Sequence, residues 1–402
     1  MEINYEIYDF REYRYGIEIL PTNLYSLLSI FIVFLFSFLS VYYLSKKINI
    51  NKKISIAILI WHTLFSIVYI VYILTETGDS LKFFHRSLNE LYFFKLNQAF
   101  GSKFVITITS LFSNFLSFNY IAVNLIFNLM GVVGLLLIYD VLNKNKIFYR
   151  YYIIILLFIF MPSLSFWSSS IGKDSISLLS IAILLWSIYN AKKSFFLKYF
   201  SLFLLFLVRP HYAIIGIAIF SFVDFFFKKS SIKITFLKLF TIFSILLIGP
   251  SVFNFMIHYV GYYSVTAETS FNLSGFLDFI EIRSRYAESN SFYDVKSMTS
   301  VTKIFTYLFR PLPYEANNLF QLFVSIENFI IFIMIFYLSI IKVLQKTQYF
   351  EIDKFALLFF TLIYLVILSY TTANFGIANR QKWLVLVMIF VMLTTKHKKN
   401  NV

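Results

Sequence analysis

Apolar and polar positions fall in long blocks along this chain. Mostly apolar runs recur at 22–45, 54–74, 120–142, 151–169, 175–191, 234–252, 322–341, 355–372 and 382–395. Most approach the ~20 residues that an α-helix needs to cross a bilayer. A transmembrane barrel would show ~10-residue alternating segments instead. Between the runs lie short basic stretches: Lys46 to Lys53, Lys144 to Arg150, Lys192 to Lys198, Lys228 to Lys238, Lys342 to Lys354, and Lys396 to Lys399. Basic short loops mark the cytoplasmic side of a membrane protein. This rule places the N-terminus outside and the C-terminus inside.

Residues 199–227 carry lysines on both flanks, so a single span would leave those flanks on opposite sides. The charge pattern predicts two short helices meeting at Arg209-Pro210-His211. Proline supports the break, because it disfavours helix in the residue before it and lacks an N–H to donate. The expected total is about eleven spans in a single all-α transmembrane domain, 1–402. Residues 75–118 form an external segment. Its apolar part, 104–118, cannot cross fully without breaking the charge pattern, so it is expected to be interfacial or re-entrant. The spacing of Leu81, Phe84, Leu88, Leu91 and Phe94 predicts an amphipathic helix over 81–97 in the outer interface. Residues 253–320 form a large external loop. The first half of the hairpin and the last span are short, which suits helices around a cavity.

Composition agrees: 59% of residues are hydrophobic and 14% charged, against about half and a quarter in soluble domains. The net charge of +15 invites a nucleic-acid reading. The clustering of lysine between apolar runs assigns that charge to topology, so no nucleic-acid partner is expected. With no cysteine, disulfides and thiolate metal sites are excluded. The histidines at 62, 85, 211, 258 and 397 are dispersed, and no Gly-rich phosphate loop or HExxH pattern occurs. Neither a metal nor a cofactor is expected. No carboxylate is placed in mid-span, so a transmembrane proton relay is not expected, and no inverted pair of broken segments marks a transporter.

The remaining polar groups fall on one side: Asp79 and Ser80 (TETGDS), Lys173 and Asp174 (SSSIGKDS), Arg209 and His211 (VRPH), Arg283, Arg285, Arg310 and Glu315 (FRPLPYEANN), and Asn379 and Arg380 (FGIANRQKW). Arg150 is the one arginine in a cytoplasmic loop of this topology. Guanidinium offers a planar fork of donors suited to phosphate, whereas lysine is a point charge. Arginines kept where positive charge is normally avoided point to an anion; the alternative is scattered surface or headgroup-binding residues. Lys173 runs against the topology rule in the same way, and a helix N-terminus with lysine and hydroxyls nearby suits an anion. Asp174 and Asp79 are equally good N-caps. Asp79 is otherwise a candidate general base, as is His211; the alternative for His211 is a bond to a helix-end carbonyl.

An external acidic residue followed by an interfacial helix resembles the GT-C-type membrane glycosyltransferases. The succession GDS, GKD, RPH, FRPLPYEA and NRQKW also resembles bacterial O-antigen and oligosaccharide-repeat polymerases, which share this size, span number and late external loop. The resemblance implies a GT-C-like fold in the bacterial inner membrane and transfer of undecaprenyl-diphosphate-linked repeat units at its outer face. It implies Asp79, or else His211 or Glu315, as base. Arg209, Arg310, Arg380 and Lys173, with Asp174, Arg283 and Arg285, would bind the diphosphate. Tyr262, Tyr263 and Tyr286 would stack on sugar rings. The DE or DD pairs of metal-dependent relatives are missing at Asp79, so the enzyme is expected to be metal-independent. The implied partners are lipid-linked glycans, membrane lipids and a chain-length regulator in the membrane. The alternatives are a glycosyltransferase adding one sugar from a polyprenyl-phosphate donor and a non-catalytic exporter or flippase.

Overall fold

The computed structural model describes residues 19–75, 78–88, 100–148, 151–190, 194–227, 275, 292–295, 297–344 and 351–395. These residues form α-helices with no β-strand among them. In chain order the helices are α1 (Leu24–Ile48), α2 (Lys52–Thr75), α3 (Asp79–Ser87), α4 (Ser102–Ser113), α5 (Tyr120–Asn145), α6 (Tyr151–Ile159), α7 (Pro162–Ser168), α8 (Lys173–Tyr189), α9 (Ser194–Val208), α10 (Pro210–Phe227), α11 (Ser300–Phe309), α12 (Leu319–Leu344), α13 (Ile352–Thr371) and α14 (Phe375–Thr394). Among the described residues, eight helical segments are long and apolar enough to cross a membrane, counting α6 and α7 together as one. The chain is therefore a polytopic helical membrane protein. The expected span at 234–252, Tyr262, Tyr263, Tyr286, and most of the expected loop at 253–320 lie outside the described residues.

The helix boundaries follow local chemistry. Asn23 caps α1, its Oδ1 accepting the Ser26 amide at 2.8 Å, and Asn49 closes the helix in the left-handed region at φ 60°. The expected span 151–169 is two helices. Met161 is extended and Pro162 opens α7, where its missing N–H leaves nothing unsatisfied. The expected break at the RPH motif is present: α9 ends at Val208 and Pro210 opens α10.

Several expectations are corrected. The amphipathic helix expected at 81–97 starts at Asp79 and ends at Ser87; residues 89–99 lie outside the described part. Asp79 is the first helical residue and Gly78 the cap, so Asp79 is not an N-cap. Asp174 likewise lies within the first turn of α8. The last span is not short: α14 begins at Phe375, seven residues before the expected start, because Asn374 caps it through the Gly376 and Ile377 amides. Asn379 and Arg380 are therefore inside the helix. Carboxylates do enter the helices: Asp140, Asp224 and Glu327 are all buried. Nor are all lysines loop charges, since Lys198, Lys354 and Lys382 are buried.

The chain divides into two compact units. The first holds residues up to Val141, Ile155–Trp186 and Phe203–Arg209. In it α1 packs on α2, α2 on α7, and α3 on α4. An apolar core gathers Tyr69, Ile73, Phe84, Val105, Tyr120 and Phe166. α1 exposes most of its large apolar side chains, as a helix facing lipid does, while the part of α5 in this unit is largely buried.

The second unit holds Leu142–Ile154, Ser187–Leu202 and Pro210–Val402. In it α10 packs on α13, and α11 packs on α12, α13 and α14. Its basic helix ends converge. Lys146 bridges Thr395, the Lys342 ammonium donates to the Thr395 carbonyl at 2.8 Å, and the Lys354 ammonium lies 4.8 Å from the Tyr189 ring centre. The opposite ends converge separately: Phe292 bridges Asn374, and Ser300 shares a 2.6 Å hydrogen bond with Tyr370. The sorting of basic and lysine-poor ends read from the sequence is therefore present within this unit.

Candidate functional site

Two arginine centres stand at lysine-poor helix ends, one in each unit. In the first unit the serine-rich turn between α7 and α8 is held by two helices beneath it. Asn124 of α5 accepts the Ile171 amide at 2.9 Å and donates to Ser66 of α2 at 2.8 Å. The His62 ring lies between Asn128 Oδ1 at 2.6 Å and Ser168 Oγ at 3.0 Å. Gly131 of α5 makes this approach possible, because a Cβ there would collide with the His62 ring and the Ser168 carbonyl. The turn is thus fixed where α8 begins.

Arg209 reaches this turn from the end of α9. One of its terminal nitrogens donates to Asp174 Oδ1 at 2.6 Å, and its Nε donates to Ser177 Oγ at 3.2 Å. Arg209 is 6% exposed. The carboxylate offsets the cost of burying the guanidinium, and removing one partner of such a pair costs about 3–5 kcal/mol. α9 is anchored here by its own helix end, as the Leu207 carbonyl accepts the Gly101 amide at 2.7 Å. Lys173, half-buried, opens α8 beside Asp174. Arg209, Lys173 and Asp174 together carry one net positive charge. Asp79 is exposed at the start of α3, while its neighbour Ser80 is buried and takes the Tyr120 hydroxyl at 2.9 Å.

The second unit builds its centre on the FRPLPYEANN segment. Arg310 follows the last residue of α11 and grips Glu315 through two nitrogens: Nε lies 2.8 and 3.1 Å from the carboxylate oxygens, and a terminal nitrogen lies 2.5 Å from Oε1. Glu315 also accepts the Leu312 amide at 2.7 Å, which closes a short 3₁₀ turn, Pro313–Glu315. Partial burial pushes the Glu315 carboxyl upward. The Arg310 fork, the Leu312 amide and the Arg310 charge outweigh it and hold the group below its ordinary value of 4.5. The Arg310 guanidinium lies 5.4 Å from the Phe375 ring centre, and Phe375 packs on Tyr293 at 4.6 Å.

A buried network supports this turn from below. Asn328 of α12 donates to the Pro311 carbonyl at 3.1 Å. Lys382 of α14, fully buried, donates to Asn328 Oδ1, and Glu327 lies within charge range of Lys382. Sequence reading passed over these residues. The visible clue was a glutamate and an asparagine side by side inside an otherwise apolar run.

The expected residues thus sort into separate groups. Lys173, Asp174 and Arg209 meet in the first unit; Arg310 and Glu315 meet in the second. Arg380 is half-buried near the start of α14, and His211 is half-buried in the first turn of α10, its ring 3.9 Å from that of Tyr212. Arg283 and Arg285 lie outside the described residues. No group of three or more metal-ligating side chains occurs among the described residues. No known protein family, curated protein or solved structure matches the chain.

Proposed function

We propose that this protein is a polymerase of the outer leaflet of a bacterial inner membrane. It would transfer polyprenyl-diphosphate-linked oligosaccharide repeat units onto one another to build a surface polysaccharide. The observation that supports this reading best is the fixed cationic turn at Lys173, Asp174 and Arg209. Its three residues sum to a positive charge, its guanidinium is oriented by a carboxylate and a hydroxyl, and α8 begins there, so its first amides have no acceptor within the helix. Such a turn suits the charge that develops on a departing diphosphate. Asp79, exposed at the start of α3, would take the proton from the attacking sugar hydroxyl. Glu315 is a poorer base, because Arg310 lowers its affinity for a proton. We assign the Arg310–Glu315 pair, whose charges cancel, to the glycan and not to the diphosphate.

The test is complementation of a strain lacking this chain. Arg209→Lys, which keeps a cation beside Asp174, should abolish the polysaccharide ladder with protein levels in the membrane unchanged and single-repeat glycan still attached, because lysine cannot reproduce the fork; Arg209→Ala, which leaves Asp174 buried without its counter-charge, should lose the ladder together with part of the protein. Full ladders from both variants would defeat the phosphate role. Loss of one sugar from the repeat, with the ladder otherwise intact, would select a single-sugar transferase instead.

A further inference from the structure

Buried polar side chains nearly always find a hydrogen-bond partner. Around Arg310 three do not: the Tyr293 hydroxyl, the Thr306 hydroxyl and the Asn379 side-chain oxygen are buried and unpartnered. They share one neighbourhood. Thr306 lies one turn before Arg310, whose amide donates to the Thr306 carbonyl at 3.2 Å. Tyr293 packs against Phe375, the ring under the Arg310 guanidinium. Asn379 lies one turn beyond Phe375, on the same side of α14, and α11 packs along α14. At the rim stands Tyr314, 82% exposed, between Pro313 and Glu315.

We infer that Tyr293, Thr306, Asn379, Tyr314 and the Arg310–Glu315 pair form a binding subsite for a neutral pyranose ring. Two hydroxyls that donate and accept, an amide oxygen that accepts, and a guanidinium–carboxylate pair match a ligand with several hydroxyl groups. A neutral ligand suits the site because the charges of Arg310 and Glu315 cancel. Tyr314 offers an exposed aromatic face for the apolar side of a sugar ring. The inference rests on the polymerase reading for its source of sugar, namely the glycan of a lipid-linked repeat unit. The binding chemistry itself rests on the residues.

The experiment uses the full chain in lipid nanodiscs, with a panel of methyl hexopyranosides and N-acetylhexosaminides followed by saturation-transfer NMR and calorimetry, and sodium pyrophosphate as competitor. At least one saccharide should bind through its ring protons. Tyr293→Phe, Thr306→Val and Tyr314→Ala should each weaken it about tenfold, the loss expected for one hydrogen bond or stacking contact. The first two variants should melt no lower than the wild type, since each removes an unpartnered buried hydroxyl; Tyr314 is too exposed to unfold the chain. Pyrophosphate should not displace the sugar. Failure of every saccharide to bind, equal binding by all three variants, or displacement by pyrophosphate would overturn the subsite. If deleting the chain leaves the ladder intact while saccharide binding and its loss persist, the subsite stands and the polymerase reading falls. If the ladder is lost but no saccharide binds, the reverse holds.

Discussion

Two arginines flanked by prolines meet two carboxylates in this protein, with opposite settings. Arg209 and Asp174 are both buried and come from sequence positions 35 apart. Arg310 and Glu315 are five apart, and their side chains remain 29% and 17% exposed. The first pair joins α9 to α8, with Lys173 next in sequence to its carboxylate. The second folds a local turn and cancels its own charge. Identical chemistry thus makes a packed joint in one unit and a partly exposed local turn in the other.

The sharpest way to break the comparison is to remove each carboxylate in turn. Asp174→Ala leaves the Arg209 cation buried without its counter-charge. A loss of about 3–5 kcal/mol is expected, read as a large fall in melting temperature of the detergent-purified protein. Replacing both by apolar residues, Arg209→Met with Asp174→Leu, should recover most of that loss. A single variant as stable as the wild type would show that the joint carries no weight.

Glu315→Gln should cost about 1 kcal/mol or less, because solvent screens the second pair. Its sign with pH is fixed. The folded carboxyl ionises below 4.5, so the pair contributes stability above that value and loses it as pH falls through the folded value. Melting curves of wild type and variant should therefore differ at neutral pH and converge on acidification; a constant gap would contradict the ion pair. The smallest perturbation tests sidedness. The chain has no cysteine, so Asn317→Cys, at an exposed position in the second unit, and Asn51→Cys, at an exposed basic helix end, each add a single thiol. An impermeant reagent applied outside should label the first, and the second only after lysis. The opposite pattern would invert the topology.

Much of this arrangement is legible in the sequence. Apolar block length gave the long helices, and lysine on both flanks of 199–227 gave the break at Arg209. The partners were not legible. Nothing in the spacing joins Arg209 to Asp174, because that contact depends on how α8 and α9 pack. The start of α14 was misplaced because Asn379 and Arg380 read as a polar loop, whereas packing buries Asn379 inside a helix capped by Asn374. Lys198 was misread for the same reason: composition cannot distinguish a loop lysine from one folded inward.

Lys198 has a consequence for how the chain is built. Its ammonium, 1% exposed, touches Asp224 at 2.6 Å and Asp353 at 3.3 Å. A lysine buried in a membrane domain is costly unless a carboxylate pairs with it. As the chain emerges from the ribosome, Asp224 follows 26 residues behind the lysine and Asp353 follows 155 behind. The α9–α10 hairpin therefore carries its own counter-ion before α13 has been synthesised, and the nascent membrane domain meets lipid at that point with a closed charge pair.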